Sequence, residues 1–199
     1  MATNKIEIWN MALTHLNARN QISSAAEDSN EAAQCRLFYD TARDTVLAAI
    51  GWRFAEGRVS LAQTANTPTG WAYEYTQPSD TATIRRIYNS LDPNGSDEPP
   101  IKFETGHNGT APVIWTDQYE ADVIYTRKFE TVAHYPAPFV LALSFYLAYL
   151  IAPKLAKAEM KESLLGEYRL HLSQASAIDL NQGYVGENDM PAEWTRDRA

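Results

Sequence analysis

The amino-acid sequence predicts an α+β fold, in which a small antiparallel β module is inserted into a four-helix bundle and an extended C-terminal arm follows. Apolar residues recur at helical spacing near both ends of the chain, whereas they alternate in short runs through its middle. Prolines, glycines and Asn-Gly pairs separate those short runs. We therefore predict a discontinuous helical bundle from residues 1–52 and 135–182, a β module at 53–134 and an arm at 183–199.

The first predicted helix covers residues 4–17. Asn4 and Glu7 have the spacing of a capping pair, in which the Asn side chain accepts a backbone hydrogen bond at the helix start. The apolar side chains then recur every three or four residues, which places them on one face of the helix. That face consists of Ile6, Trp9, Leu13 and Leu16.

The second predicted helix covers residues 29–50, and Asp28 and Glu31 repeat the capping spacing. Charged residues mark an outer face, where weak pairing at i,i+3 and i,i+4 is expected. This outer face holds Arg36, Asp40 and Arg43, and the inner stripe holds Ala32, Cys35, Tyr39, Ala42, Val46 and Ala49.

The helical period ends at Gly51 and Trp52, and alternating residues follow. Glycine suits the C-terminal end of a helix. We expect Trp52 and Phe54 to form an apolar plug where the chain passes from the helices into the β module. The segment at 134–138, with two prolines, marks the return to the helices.

Six short runs in the middle of the chain are predicted strands, because apolar and polar residues alternate within each. The residues GHNGT at 106–110 are typical of a hairpin turn, since Asn-Gly tolerates positive φ. Residues 90–100 are predicted to form a polar loop. The predicted strands lie within 53–62, 71–76, 83–89, 101–105, 112–117 and 122–129.

The third predicted helix, residues 137–152, is apolar on nearly every side. It is shorter than the roughly 20 residues of a membrane span, so we expect it to lie at the centre of the bundle. The fourth predicted helix covers residues 161–181. Its apolar face consists of Leu165, Tyr168, Leu172 and Ala175.

The charge of the chain argues against one class of function. The formal net charge of the 199 residues is −8, whereas an autonomous DNA-binding domain is usually basic. The one cysteine, Cys35, excludes an internal disulfide and fits a reducing compartment. The first ten residues lack the charged-then-apolar pattern of a secretory signal.

Motifs for catalysis or metal binding are not found in the sequence. The histidines His15, His107, His134 and His171 have no metal-ligand spacing, and no nucleophile elbow, P-loop or dinucleotide fingerprint occurs. Cys35 falls on an apolar stripe, which favours a buried, inert thiol. We therefore predict no enzymatic activity, no cofactor and no metal. The five Trp and eleven Tyr residues favour core and interface packing instead.

Three ordered motifs resemble a known family. These are W-x-F-A after a helix, beginning at Trp52; Y-x-Y-x-x-P-x-D, beginning at Tyr73; and a strand-to-helix joint that contains Phe139 and Val140. Over about residues 4–180 the chain resembles the tail tubular protein A family, the head-to-tail adaptors of short-tailed bacteriophages. It departs from the family at Gln77, where a Leu is expected before the proline.

The resemblance implies a structural role without a reaction. Such adaptors form a ring, generally of twelve copies, which joins the portal protein to the tail nozzle or tail tube. Double-stranded genomic DNA passes through the ring without sequence-specific binding. The expected location is the head–tail junction of the virion, and the host cytoplasm during assembly, with no membrane partner. Two alternatives remain open: a virion-associated cell-wall hydrolase, and a nucleic-acid-binding module formed by the β insert.

Two sets of residues are predicted to contact other proteins. Exposed loops on insertions commonly carry binding surfaces, so we expect the loops of the β module to face the tail. The aromatic and apolar residues of the arm are expected to dock on a neighbouring subunit or on the portal, with Trp194 as the anchor. The loop set is Asp92, Asn94, Asp97, His107 and Asn108, and the arm set is Tyr184, Met190, Trp194 and Arg196.

Overall fold

The computed structural model describes residues 4–89, 100–155 and 157–180, which contain four α-helices and two three-stranded antiparallel sheets. The predicted α+β class is therefore confirmed. The helices are α1 (Lys5–His15), α2 (Asn30–Ala49), α3 (Ala137–Ile151) and α4 (Lys161–Leu180). The strands are β1 (Glu56–Ser60), β2 (Tyr73–Thr76), β3 (Thr81–Asn89), β4 (Phe103–His107), β5 (Pro112–Thr116) and β6 (Ala121–Arg127).

Helix α1 begins as its sequence predicts. Asn4 Oδ1 accepts the backbone N–H groups of Ile6 at 2.9 Å and Glu7 at 3.1 Å, which satisfies two of the donors that a helix start leaves free. The buried face is rotated slightly from the predicted one. Ile8 is fully buried, whereas Ile6 lies at the half-buried rim of the core.

The N-cap of helix α2 is one residue later in the chain than predicted. Ser29, rather than Asp28, has the extended backbone of an N-cap, and its Oγ accepts the N–H of Ala32 at 3.3 Å. At the other end of the helix Leu47 is buried and Ala49 is exposed, so the inner stripe turns away from the predicted one.

The predicted outer face of α2 is wrong at Arg43, because this residue is only 7% exposed. Its Nη1 donates to Asp40 at 3.1 Å and its Nε donates to Asp44 at 2.9 Å. Nη2 lies 3.8 Å from a carboxylate oxygen of Glu130, in the segment that follows β6. A long side chain can bury its stem while its charged end reaches acidic partners at the edge of the core, which a pattern of charges does not reveal.

The main core forms around α3, which contacts α1, α2 and α4. Eight residues of α3 are buried, as expected for a helix that is apolar on nearly every side. From α4, Leu164, Tyr168 and Ala175 enter this core, whereas Leu165 and Leu172 are half-buried. Leu164 was not part of the predicted apolar face.

Both sheets pair strands that are distant in sequence. The first has the order β1-β6-β3 and the second has the order β2-β5-β4. All six predicted strands are confirmed, although the division into two sheets was not predicted. A second core cluster belongs to the sheets; its buried members are Tyr75, Ile87, Ile114, Ala121, Val123 and Tyr125.

Trp52 lies at the junction between the helices and the first sheet, as predicted. It is 1% exposed, its Nε1 donates to the Val46 carbonyl at 2.8 Å, and its ring meets that of Phe139 edge-on at 5.0 Å. Arg85 from β3 donates to the carbonyl oxygens of Leu47 and Ile50 at the C-terminal end of α2. The first sheet therefore provides donors for carbonyl groups that a helix end leaves unpaired.

Candidate interaction surfaces

The hairpin between β4 and β5 contains two of the predicted contact residues, His107 and Asn108. Asn108 Oδ1 accepts the N–H groups of Thr110 at 3.0 Å and Ala111 at 2.9 Å. His107 Nδ1 accepts the N–H of Gly109 at 3.0 Å. Of these tip residues only Gly109 has positive φ, at 93°. The predicted turn is confirmed, but Asn108 forms it through its side chain rather than through positive φ.

The buried carboxylate of Glu74 anchors this hairpin. Glu74 is 3% exposed, and its Oε1 accepts hydrogen bonds from Thr64 Oγ1, Asn66 Nδ2 and Asn108 Nδ2, each at 2.9 Å. Its Oε2 accepts a hydrogen bond from Trp115 Nε1 at 2.8 Å. A buried carboxylate is tolerated when such donors replace its hydration.

These four donors favour the ionised form of Glu74 and lower its pKa to about 2, with the Trp115 hydrogen bond as the largest cause. A carboxyl group with so low a pKa stays ionised near neutral pH. Glu74 therefore holds the loop at 64–66, the hairpin and β5 together, and its environment does not suit general acid or base chemistry.

The remaining predicted contact residues lie outside the described residues. In the loop these are Asp92, Asn94 and Asp97, and in the arm they are Tyr184, Met190, Trp194 and Arg196. Their predicted roles therefore stay predictions, as does the arm itself at 183–199.

Two helices carry large apolar side chains that solvent reaches. Leu37 on α2 is 66% exposed, and on α4 Leu170 and Ile178 are 51% and 49% exposed. Ile178 also borders a groove of about 250 Å³ between α3 and α4, with Pro138 and Leu141 on its opposite side. These residues were missed from the sequence, because single apolar residues outside the main stripe of a helix are common on ordinary surfaces.

A stack of three rings joins α1, α3 and α4. Phe145 lies between His15, with ring centroids 3.8 Å apart, and His171, with centroids 4.9 Å apart. His15 Nε2 also lies 3.0 Å from the hydroxyl of buried Ser144. Burial, reinforced by His171, lowers the pKa of His15, so the neutral imidazole is favoured. The sequence spacing of these two histidines gave no sign of the stack.

Cys35 is buried in the helical core, and desolvation raises the pKa of its thiol to about 12. A protonated, enclosed thiol is a poor nucleophile. Across residues 4–89, 100–155 and 157–180, no group of three or more His, Cys, Asp or Glu residues is placed to hold a metal ion.

The segment Ala137–Leu155 has the length and mean hydropathy of a membrane span. It contains α3, whose buried residues pack against three other helices in the main core. A helix at the centre of a protein core has the same composition, so length and hydropathy alone do not distinguish the two environments.

Comparison with known proteins gives no match, either to a protein-family model or to the sequence of a curated protein.

Proposed function

We propose that this chain is the subunit of a ring that joins the portal of a short-tailed bacteriophage to its tail. The ordered motifs that resemble the head-to-tail adaptors carry this proposal. In the proposed ring the four helices act as one bundle and make the lateral contacts, while the β module faces the tail. Genomic DNA passes through the centre, and no reaction takes place.

The positions of the motif residues support an architectural role. Trp52 and Phe54 pack against Phe139, which belongs to the third motif, with ring centroids 5.0 Å away in both cases. In the second motif, Asp80 accepts a hydrogen bond from the Tyr125 hydroxyl at 3.0 Å. The motif residues named here hold elements of the fold together, which suits a structural subunit.

The exposed apolar residues supply two different surfaces for ring formation. A closed ring is built from head-to-tail contacts, in which one surface of a subunit meets a different surface of the next. Leu37 lies on α2, whereas Leu170 and Ile178 lie on α4, and both helices pack on α3. We assign the α4 residues to one lateral contact and Leu37 to the other.

Electron microscopy of the purified chain tests the proposal. Class averages should show rings with a central hole, and native mass spectrometry should give their copy number. The double variant Leu170→Glu and Ile178→Glu should abolish rings while the subunit keeps its fold, because charges placed in an apolar contact remain unpaired.

Tyr119→Glu is the matched control, since Tyr119 is 55% exposed but lies outside the helices. This variant should form rings as wild type does. A wild-type chain that stays monomeric with and without portal would contradict the proposed function. Rings that survive the double variant would contradict the proposed contact.

A further inference from the structure

A cleft of about 500 Å³ lies beside the first turn of α2. It is bordered by the loop after α1, by the start of α2 and by the short 3₁₀ turn after α3. Its polar walls contain the donor-bearing side chains Asn17, Arg19, Asn20, Asn30, Lys154 and Lys157.

The charge of this cleft is opposite to that of the whole chain. Arg19, Lys154 and Lys157 contribute three positive charges, and Glu31 is the one carboxylate among the lining residues of the cleft. No ion pair within the described part of the chain involves any of these three cations. The cleft therefore has a local excess of two positive charges in a protein of net charge −8.

Backbone hydrogen bonds hold part of two walls of the cleft in place. Asn17 has positive φ, at 51°, and the next residue, Ala18, donates its N–H to the Leu13 carbonyl at 3.0 Å. On the opposite wall the N–H of Lys157 donates to the Ala152 carbonyl at 2.9 Å. These bonds reduce the ordering cost that a ligand would otherwise have to offset.

We propose that this cleft binds the phosphoryl oxygens of a phosphate-bearing ligand. A guanidinium group and two ammonium groups provide charge-assisted donors, and the amides of Asn17 and Asn30 add neutral ones. The amide of Asn20 donates to Glu31 at 3.4 Å. The N-terminal end of α2, a helix of 20 residues, adds a partial positive charge on the same side. Small polyphosphates and a nucleic-acid backbone both present this chemistry, and the site does not depend on the proposed ring.

Titration of the full-length chain with inorganic pyrophosphate, followed by calorimetry at low salt, tests the site. The variant Arg19→Gln, Lys154→Gln and Lys157→Gln should bind at least about tenfold more weakly, because it removes all three charged donors. The matched control is Lys102→Gln, Lys128→Gln and Arg169→Gln, which removes the same charge from exposed positions elsewhere and should bind as wild type does.

Glu31→Gln should shift the affinity in the opposite direction. It removes the carboxylate from the cleft, so pyrophosphate should bind several-fold more tightly. A short DNA duplex added as competitor identifies the source of the phosphate: competition indicates a nucleic-acid backbone, and its absence with intact pyrophosphate binding indicates a small phosphate ester. No saturable binding at millimolar pyrophosphate, or equal losses in both triple variants, would overturn the proposal, whether or not rings form.

Discussion

Glu74 connects parts of the chain that are far apart in sequence. Its donors come from the loop at 64–66, from the hairpin residue Asn108 and from Trp115 on β5. The Trp115 ring packs directly on Gly106, in the space that a Cβ atom would occupy. The hairpin tip is therefore presented as a fixed surface.

Replacing Glu74 with Gln should lower the free energy of unfolding at pH 7 by about 2 kcal/mol, the value of a hydrogen bond to a charged group. The NH2 group of Gln would face the Trp115 N–H if its oxygen takes the place of Oε1, so that one donor would meet another. Urea unfolding measures the change. Glu104→Gln is the control, because Glu104 is exposed and accepts one 3.3 Å hydrogen bond from Trp71 Nε1.

The same variant tests the pKa of Glu74. Folding lowers this pKa from about 4.5 to about 2, so the folded state binds fewer protons between these pH values. The stability that Glu74 contributes is complete above about pH 4.5 and is lost as the pH falls toward 2. The stability of Glu74→Gln should depend less steeply on pH in that range, and parallel curves for variant and wild type would contradict the assignment.

Residue-level prediction from sequence succeeds where the interaction is local. Asn4 caps a helix within three residues of itself, so the sequence contains the whole motif. Asp28 and Ser29 are both suitable caps, and the backbone decides in favour of Ser29. Glu74 takes two of its four donors, from Asn108 and Trp115, across more than 30 residues of chain. Arg43 lies near the distant Glu130 as well as its local partners, and no spacing rule brings such distant groups together.

At the scale of elements, α3 was the clearest feature of the sequence because a helix buried on nearly every side needs an almost continuous apolar run. The strands were also predictable, since alternation is a local pattern. Their pairing was not: β1 joins β6 and β2 joins β5, across long stretches of chain. The sequence did not predict the exposed apolar residues of α4, because they lie beside the buried stripe of this helix.

Two glycines should respond to the same substitution in opposite ways. Gly166→Ala should stabilise the protein by about 0.5–1 kcal/mol, because Gly166 lies inside α4 with open space around a new Cβ. Gly109→Ala should destabilise it by about 1 kcal/mol, because the hairpin requires positive φ there. Thermal unfolding measures both changes, and a stabilising effect at Gly109 would show that the turn has a different backbone.

At the scale of the whole molecule, the described chain has two buried clusters, one helical and one in the sheets. The helical cluster combines residues from both ends of the sequence. Arg53, just before β1, donates its N–H to Asp179 near the end of α4 at 3.0 Å, and its Nε donates to the Asp179 carbonyl at 3.0 Å. The proposed lateral surfaces depend on these hydrogen bonds between Arg53 and Asp179, because α4 carries one of the surfaces.

Removing the predicted arm tests how the proposed ring is held together. Truncation after Gln182 should leave the melting temperature of the monomer unchanged and weaken assembly of the ring or its binding to portal. The expected reason is burial of Trp194, worth roughly 2–3 kcal/mol before the cost of ordering the chain. Trp194→Ala should reproduce most of the loss, whereas Arg198→Ala should not. Undiminished assembly of the truncated chain would exclude a docking role for the arm.

The position of α3 late in the chain has a consequence for synthesis on the ribosome. Helices α1 and α2 end at Ala49, but the helix that covers their apolar faces begins at Ala137. At translation rates of about 5–20 residues per second, roughly 90 residues take on the order of 5–20 s to appear. During that interval α1 and α2 lack the helix against which Trp9, Leu13 and Val46 are buried, so we expect these side chains to be open to chaperones. A chain terminated within the β module would lack α3, and we expect such a fragment to aggregate.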